Sequence, residues 1–150
     1  MTQTSDSLAF MFPGQGSQSV GMLAELAQGH TEVRAAFDEA SAGADCDLWT
    51  LAQAGPEEDL NRTENTQPAL LAASVAVWRV WQLRGGATPA HLAGHSLGEY
   101  SALVCAGVLS LHDAAGLVAT RGRLMQAAVP AGVGAMAAVT ILKYVQAWAP

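Results

Sequence analysis

The sequence predicts an α/β domain built on a parallel sheet. Two short, unbroken apolar runs, at residues 8–12 and 89–93, each stop at a glycine-bearing loop. Helical patterns lie between them and after them. Strands that alternate with helices place parallel strands side by side with the helices as crossovers.

The first run, Leu8-Ala9-Phe10-Met11-Phe12, is continuous rather than alternating. That is the pattern of a strand buried on both faces. It ends at Pro13-Gly14-Gln15-Gly16-Ser17, a loop rich in turn formers. Helical patterns follow at residues 22–27 and 32–42. Gly55-Pro56-Glu57-Glu58-Asp59 breaks them, and its acids suit the first turn of a short helix through Leu60. Thr66-Gln67-Pro68 reads as a helix start, with Thr66 as N-cap and Pro68 in the first turn. This helix runs to Leu83 and stops at Gly85-Gly86. It is apolar nearly all round, which places it in the middle of the fold. The second strand, from Pro89 to Ala93, ends at Gly94, and a helix through Ala106 follows. Ser110-Leu111-His112-Asp113 has capping-box spacing and opens a helix that ends before Pro130. Residues 135–142 are apolar and β-branched enough for a third strand. There is no internal repeat and no low-complexity tract.

Composition narrows the function classes. Of 150 residues, 51% are hydrophobic and 13% charged, and mean hydropathy is +0.22, which excludes a disordered chain. The net charge of −6 argues against general nucleic-acid binding and against an anionic membrane surface. The most apolar stretch, residues 68–81, is about 14 residues long. A spanning helix needs roughly 20, so no membrane segment is expected. The N-terminal residues carry neither a basic region nor a long apolar run, and no targeting segment is expected. Cys46 and Cys105 are far apart and lack metal-ligand spacing, so they read as reduced thiols of a cytoplasmic protein.

Gly94-His95-Ser96-Leu97-Gly98 matches G-x-S-x-G between a strand and a helix. A sharp strand-to-helix turn strains the serine backbone and crowds the residues two before and two after it, so both must be small. It lifts Ser96 Oγ off the carboxyl end of the sheet and aims the Leu97 N–H beside it. The following helix adds about half a positive charge there, which favours a developing oxyanion. The bland alternative is a chance match of three fixed positions. Pro13-Gly14-Gln15-Gly16-Ser17-Gln18 ends the first strand, so it lies at the same sheet edge. Its glycines let backbone approach a ligand, and the Gln15 N–H is a second candidate oxyanion donor. A purely structural turn is the alternative. The loop lacks the lysine and spacing of a phosphate loop.

On the helix after Asp113, about 100° per residue places Arg121 within the arc of Leu117, Val118, Leu124 and Met125. Arg123 points about 240° away from Leu117 and reads as a surface charge. An arginine on an apolar stripe must snorkel, pair with a buried carboxylate or meet an anionic ligand. Its planar fork suits bidentate recognition of a carboxylate.

Together, Phe12-Pro13-Gly14-Gln15-Gly16-Ser17-Gln18, Gly94-His95-Ser96-Leu97-Gly98-Glu99-Tyr100-Ser101-Ala102-Leu103 and Arg121-Gly122-Arg123-Leu124-Met125-Gln126 resemble the bacterial malonyl-CoA:acyl carrier protein transacylases of fatty-acid synthesis. So do Asp47-Leu48-Trp49, Thr66-Gln67-Pro68-Ala69-Leu70 and Gly134-Ala135-Met136-Ala137-Ala138. The acyltransferase domains of polyketide synthases share these signatures more loosely. The resemblance spans residues 7–139 and implies a hydrolase-like parallel sheet with flanking helices, ending near the start of a ferredoxin-like small domain. It implies a ping-pong reaction: malonyl-CoA acylates Ser96, and the phosphopantetheine thiol of acyl carrier protein takes the malonyl group. By the same resemblance, Arg121 holds the malonyl carboxylate and the Gln15 and Leu97 N–H groups form the oxyanion hole. No metal or organic cofactor is implied; the partners are malonyl-CoA and acyl carrier protein.

Two departures qualify this. The family needs a histidine base, and none of His30, His91, His95 and His112 matches it. His95 abuts Ser96, but neighbouring side chains at such a turn diverge, so a packing or pocket-lining role is expected. Residues 140–150 do not continue the family pattern and hold the only lysine, Lys143. The expectation is therefore a partial acyltransferase domain from a truncated or frameshifted product, with a true short variant as the alternative. The rival readings are a serine esterase of the α/β-hydrolase type and an inactive fragment or interaction module.

Overall fold

A computed structural model describes residues 4–128. The third strand expected at residues 135–142 lies outside the described residues. Strand β1 (Thr4–Phe12) is followed by five helices, α1 (Ala24–Gly29), α2 (Thr31–Ala44), α3 (Leu48–Ala54), α4 (Glu57–Leu60) and α5 (Thr63–Leu83). Strand β2 (Thr88–Gly94) comes next, then α6 (Leu97–Cys105) and α7 (Leu111–Ala128). The two strands pair in parallel, so the five helices form the crossover between them. The expected α/β architecture of a parallel sheet with flanking helices is present. In register, Phe10 lies opposite Leu92 and Phe12 opposite Gly94. Both strands therefore end at the same level, and the loops that leave them start side by side.

The helical layer is α2, α5 and α7, packed on one another around Val33, Phe37, Leu71, Val75, Leu111 and Val118. Phe10 joins the sheet to this layer, its ring edge-on to Trp78 and Trp81 of α5, both at 5.3 Å between centroids. Such pairs contribute about 0.5–1.5 kcal/mol each beyond the area they bury. The expected two-sided burial of β1 does not hold among the described residues. Phe10 and Phe12 turn toward α5, whereas Ala9 and Met11 face outward, Met11 at 85% exposure. No described element covers that side of the two strands.

Three local expectations need correction. First, α5 starts at Thr63, one turn before the expected cap. The Asn65 and Thr66 N–H groups both donate to the Arg62 carbonyl, at 2.9 and 2.8 Å. Thr66 is buried and donates its hydroxyl to the Leu60 carbonyl at 2.6 Å, so it ties α5 to α4 instead of capping. Pro68 consequently lies inside the helix, where its missing N–H leaves the Glu64 carbonyl without its usual partner. Second, α3 was not anticipated. Asp47 caps it, accepting from the Thr50 N–H at 3.0 Å and the Thr50 hydroxyl at 2.7 Å. These two bonds hold the Asp47 carboxyl below its ordinary range.

Third, the inward face of α7 is not the leucine stripe. Its buried residues are Leu111, Ala114, Ala115, Val118, Ala119 and Gly122, whereas Leu117 is 51% and Leu124 66% exposed. Small residues win because α7 lies unusually close to its neighbours. A Cβ on Gly122 would stand 2.6 Å from Glu64 Cα and 2.7 Å from the Thr63 carbonyl oxygen. Gly116 approaches the Gly43 carbonyl oxygen in the same way, and a Cβ on Gly43 would overlap the backbone of His112. Arg121 therefore lies at the border of the packed face rather than in the middle of an apolar stripe. The start of α7 matches expectation: Ser110 Oγ accepts the Asp113 N–H at 3.0 Å. The box is closed differently, however, with the Ser110 hydroxyl donating to the Asp113 carboxylate at 2.7 Å. The hydroxyl, and then His112, hold that carboxyl below its ordinary range.

The close approach of α7 to α5 predicts that Gly122→Ala destabilises the chain by about 1–3 kcal/mol in urea denaturation, because backbone must move to admit the methyl. Gly29→Ala is the control, since a Cβ there meets nothing within 4 Å. It should cause no loss. Equal effects of the two substitutions would contradict the packing.

Candidate functional site

Ser96 stands between the end of β2 and the start of α6 with φ 56° and ψ −108°. A non-glycine residue held there costs on the order of 1–3 kcal/mol and persists only when its surroundings over-determine it. Here they do. Gly94 is fixed opposite Phe12 by strand pairing. The Gly98 N–H donates to the His95 carbonyl at 3.0 Å and the Glu99 N–H to the Ser96 carbonyl at 3.2 Å. A Cβ on Gly94 would overlap Gly98, which is the crowding the motif requires. A Cβ on Gly98 would overlap the Phe12 carbonyl, a contact with the other strand that the motif alone does not reveal.

The loop after β1 stands beside this turn: a Cβ on Gly14 would come within 3.4 Å of the His95 carbonyl oxygen. The loop is held from both sides. Ser17 Oγ donates to the Gly14 carbonyl at 3.0 Å, and the Gly16 N–H donates to Gln18 Oε1 at 2.8 Å. The Gln15 amide donates to Thr63 Oγ1 at 3.1 Å, and the Gln18 amide to Asn61 Oδ1 at 2.7 Å. The side chain of Gln15 is thus spent on the start of α5. Its backbone N–H and that of Leu97 donate to no described residue. Leu97 itself is buried beneath the turn.

Arg121 reaches Ser96 from α7. Nη2 donates to Ser96 Oγ at 2.8 Å, and Nη1 donates to Gln67 Oε1 at 2.7 Å. The guanidinium carbon lies 6.0 Å from the centroid of the Tyr100 ring. Among the described residues no carboxylate lies within 4.0 Å of it. Of the three fates open to this arginine in the sequence, the internal salt bridge is therefore not realised there. The cation is half-buried and held by neutral acceptors, with N–H donors to spare. One side of it lines a groove of about 870 Å³ along α7, together with Leu117, Leu124 and Met125.

Gln67 escaped the sequence reading. Its side chain is fully buried, 0% exposed, in a helix that is otherwise largely apolar at that level. The sequence offers only a polar residue beside the apolar run at 68–81, in a Thr66-Gln67-Pro68 stretch that reads as a helix start. The histidines go elsewhere. His95 is exposed, His30 contacts Arg84, and His112 contacts Asp113; among the described residues none hydrogen-bonds Ser96 Oγ. Burial disfavours the thiolate form of both cysteines. Burial pushes Cys105 up to about 12, only partly offset by Arg79, and burial raises Cys46 as well. Among the described residues no three His, Cys, Asp or Glu side chains gather to hold a metal ion.

Comparison with known proteins bears on this geometry. The family described as an acyl transferase domain matches residues 9–150. The malonyl CoA-acyl carrier protein transacylase of Salmonella typhimurium is 64% identical over 131 residues, covering 87% of this chain and 42% of the relative. That of Bacillus subtilis strain 168 is 51% identical over 132 residues, covering 88% and 41%. Among solved structures, the malonyl-CoA:acyl carrier protein transacylase from Xanthomonas oryzae superposes with a TM-score of 0.85 at 68% identity, covering 87% of this chain and 41% of that one. A chain of the solved structure described as a type II PKS acyl-carrier protein in complex with its malonyl-transacylase matches with a TM-score of 0.79 at 60% identity, covering 86% of this chain and 40% of that one. The chain spans about 42% of the length of the curated relatives it matches.

The contact between Gly98 and the Phe12 carbonyl couples the two loops. Gly98→Ala should therefore shift backbone amide resonances at Gly14, Gln15 and Gly16 as well as at Ser96. Shifts confined to α6 would contradict the coupling.

Proposed function

This chain belongs to the acyl transferase domain family, and from that premise we propose that it carries the nucleophile and the acyl-carboxylate clamp of a malonyl-CoA:acyl carrier protein transacylase. Ser96 Oγ gives its proton to a general base, the histidine role that the family resemblance implies and that none of His30, His91, His95 and His112 fills, and attacks the thioester carbonyl of malonyl-CoA. The carbonyl oxygen gains charge as the tetrahedral intermediate forms, and the N–H groups of Gln15 and Leu97 receive it. The same base returns the proton to the sulfur as the C–S bond breaks, so coenzyme A departs as thiol and leaves a malonyl-serine ester. The phosphopantetheine thiol of acyl carrier protein then takes the malonyl group. The substrates are two thioester-forming thiols and one dicarboxylic acyl group, and no organic cofactor or metal takes part.

One observation carries this reading: the Arg121 guanidinium stands 2.8 Å from Ser96 Oγ and is balanced by a glutamine, not a carboxylate. A half-buried cation held by neutral groups favours an acyl chain that ends in a carboxylate. A plain acetyl group leaves that charge without a partner. A simple esterase has no use for such a cation beside its nucleophile. The incoming carboxylate meets the N–H donors of Arg121 that Ser96 and Gln67 leave open. The finer architecture follows from the same reading. The two strands and their helices form part of a hydrolase-like domain, and the stretch of family resemblance, residues 7–139, ends near the start of a ferredoxin-like small domain. A cytoplasmic setting suits these substrates; among the described residues no helix is long and apolar enough to cross a membrane.

Intact-mass analysis after incubation with malonyl-CoA tests the reading. A malonyl adduct should form on Ser96 and be absent from Ser96→Ala. In competition, malonyl-CoA should label the chain in preference to acetyl-CoA, and Arg121→Ala should lose about 1.5–3 kcal/mol of that preference, roughly tenfold to a hundredfold. Equal preference before and after the substitution would remove Arg121 from the assignment.

A further inference from the structure

The Gln67 amide has no exposed surface, and its two ends meet different chemistry. Oε1 accepts from Arg121 Nη1 at 2.7 Å. Nε2 donates toward the sulfur of Met125 at 3.4 Å. Turned through half a revolution, the amide would set its N–H donors against those of the guanidinium and its oxygen against the thioether lone pairs. Both contacts would then repel. Met125 follows Arg121 by four residues on α7, so one helix face supplies both atoms that read the amide. The direction of donation along Met125, Gln67, Arg121 and Ser96 is thereby set throughout: Gln67 donates to Met125, and Arg121 donates to both Gln67 and Ser96.

We infer that Gln67 is the positioning residue for Arg121, and that the Met125 thioether keeps its amide turned the way that makes it one. A neutral acceptor aims the guanidinium without neutralising it. A carboxylate at the same position would aim it equally well but cancel its charge, and the site would lose its reason to prefer a second carboxylate. Gln67 thus decides between dicarboxylic and monocarboxylic acyl groups although it touches neither. This part rests on the proposal that Arg121 receives the acyl carboxylate; the positioning of Arg121 itself does not.

Nitrogen-15 NMR of the Arg121 side chain in the full 150-residue chain tests the positioning without any turnover. With Nη1 and Nη2 held by different acceptors, rotation about the Nε–Cζ bond is slow and the two nitrogens give separate signals. Gln67→Ala should merge them. Met125→Leu, which keeps the volume and removes only the acceptor, should speed their exchange. Gln67→Glu should keep them separate. Separate signals in Gln67→Ala would overturn the inference, and unchanged exchange in Met125→Leu would overturn the role of the thioether. Competition between malonyl-CoA and acetyl-CoA for Ser96 supplies the second reading. Gln67→Glu should lower the malonyl-to-acetyl adduct ratio by about tenfold, and an unchanged ratio would overturn the selectivity role. If the unsubstituted chain shows no malonyl preference while the Arg121 signals behave as expected, the carboxylate proposal fails and the positioning of Arg121 stands.

Discussion

The guanidinium of Arg121 joins three parts of the chain that are far apart in sequence. It lies on α7, it is held by a side chain of α5, and it donates to the serine at the turn between β2 and α6. A charge in this position is an electrostatic debt that the described residues leave open, because both of its acceptors are neutral. In a partly desolvated setting a carboxylate brought to it gains more than the same pair would in water. The site is built around that imbalance, and the proposed chemistry follows from it.

Geometry of this kind needs backbones that approach closely, and glycines provide it at each junction. Gly98 lets the first turn of α6 lie against the end of β1, which sets the loop of Gln15 beside Ser96. Gly122 lets α7 lie against the first turn of α5, which brings Arg121 to Gln67. Each glycine is followed or preceded closely by a residue of the site: Ser96 and Leu97 before Gly98, Arg121 before Gly122. The strained backbone of Ser96 is the cost of the arrangement, and strand pairing at Gly94 together with two backbone hydrogen bonds offsets it.

The turn carrying Ser96 was legible in the sequence because its constraints are local: a strand, two small residues at fixed offsets, a helix. The loop of Gln15 was legible as a loop at the same sheet edge for a related reason, since parallel strands end together. What escaped depends on packing between distant segments. A helical wheel weighs residue size, so it favoured the face of Leu117 and Leu124, whereas close packing of α7 favours the face of Ala115, Ala119 and Gly122. Thr66 has the right chemistry for a cap, but the Leu60 carbonyl claims its hydroxyl. Gln67 was passed over because a glutamine near a helix start is ordinary until its burial is seen. Asp47, three residues before Thr50, was a readable cap for α3 that the wider pattern obscured.

In the proposed function Arg121 holds its charge ready for a carboxylate beside Ser96. Titration of the isotope-labelled chain with malonamic acid and, separately, with acetamide tests it most directly, since the two share an amide and differ by the carboxylate-bearing end. Malonamic acid should shift the Arg121 guanidinium signals and the Ser96 amide, while acetamide should leave both in place. Equal responses to the two compounds, or none to either, would contradict it.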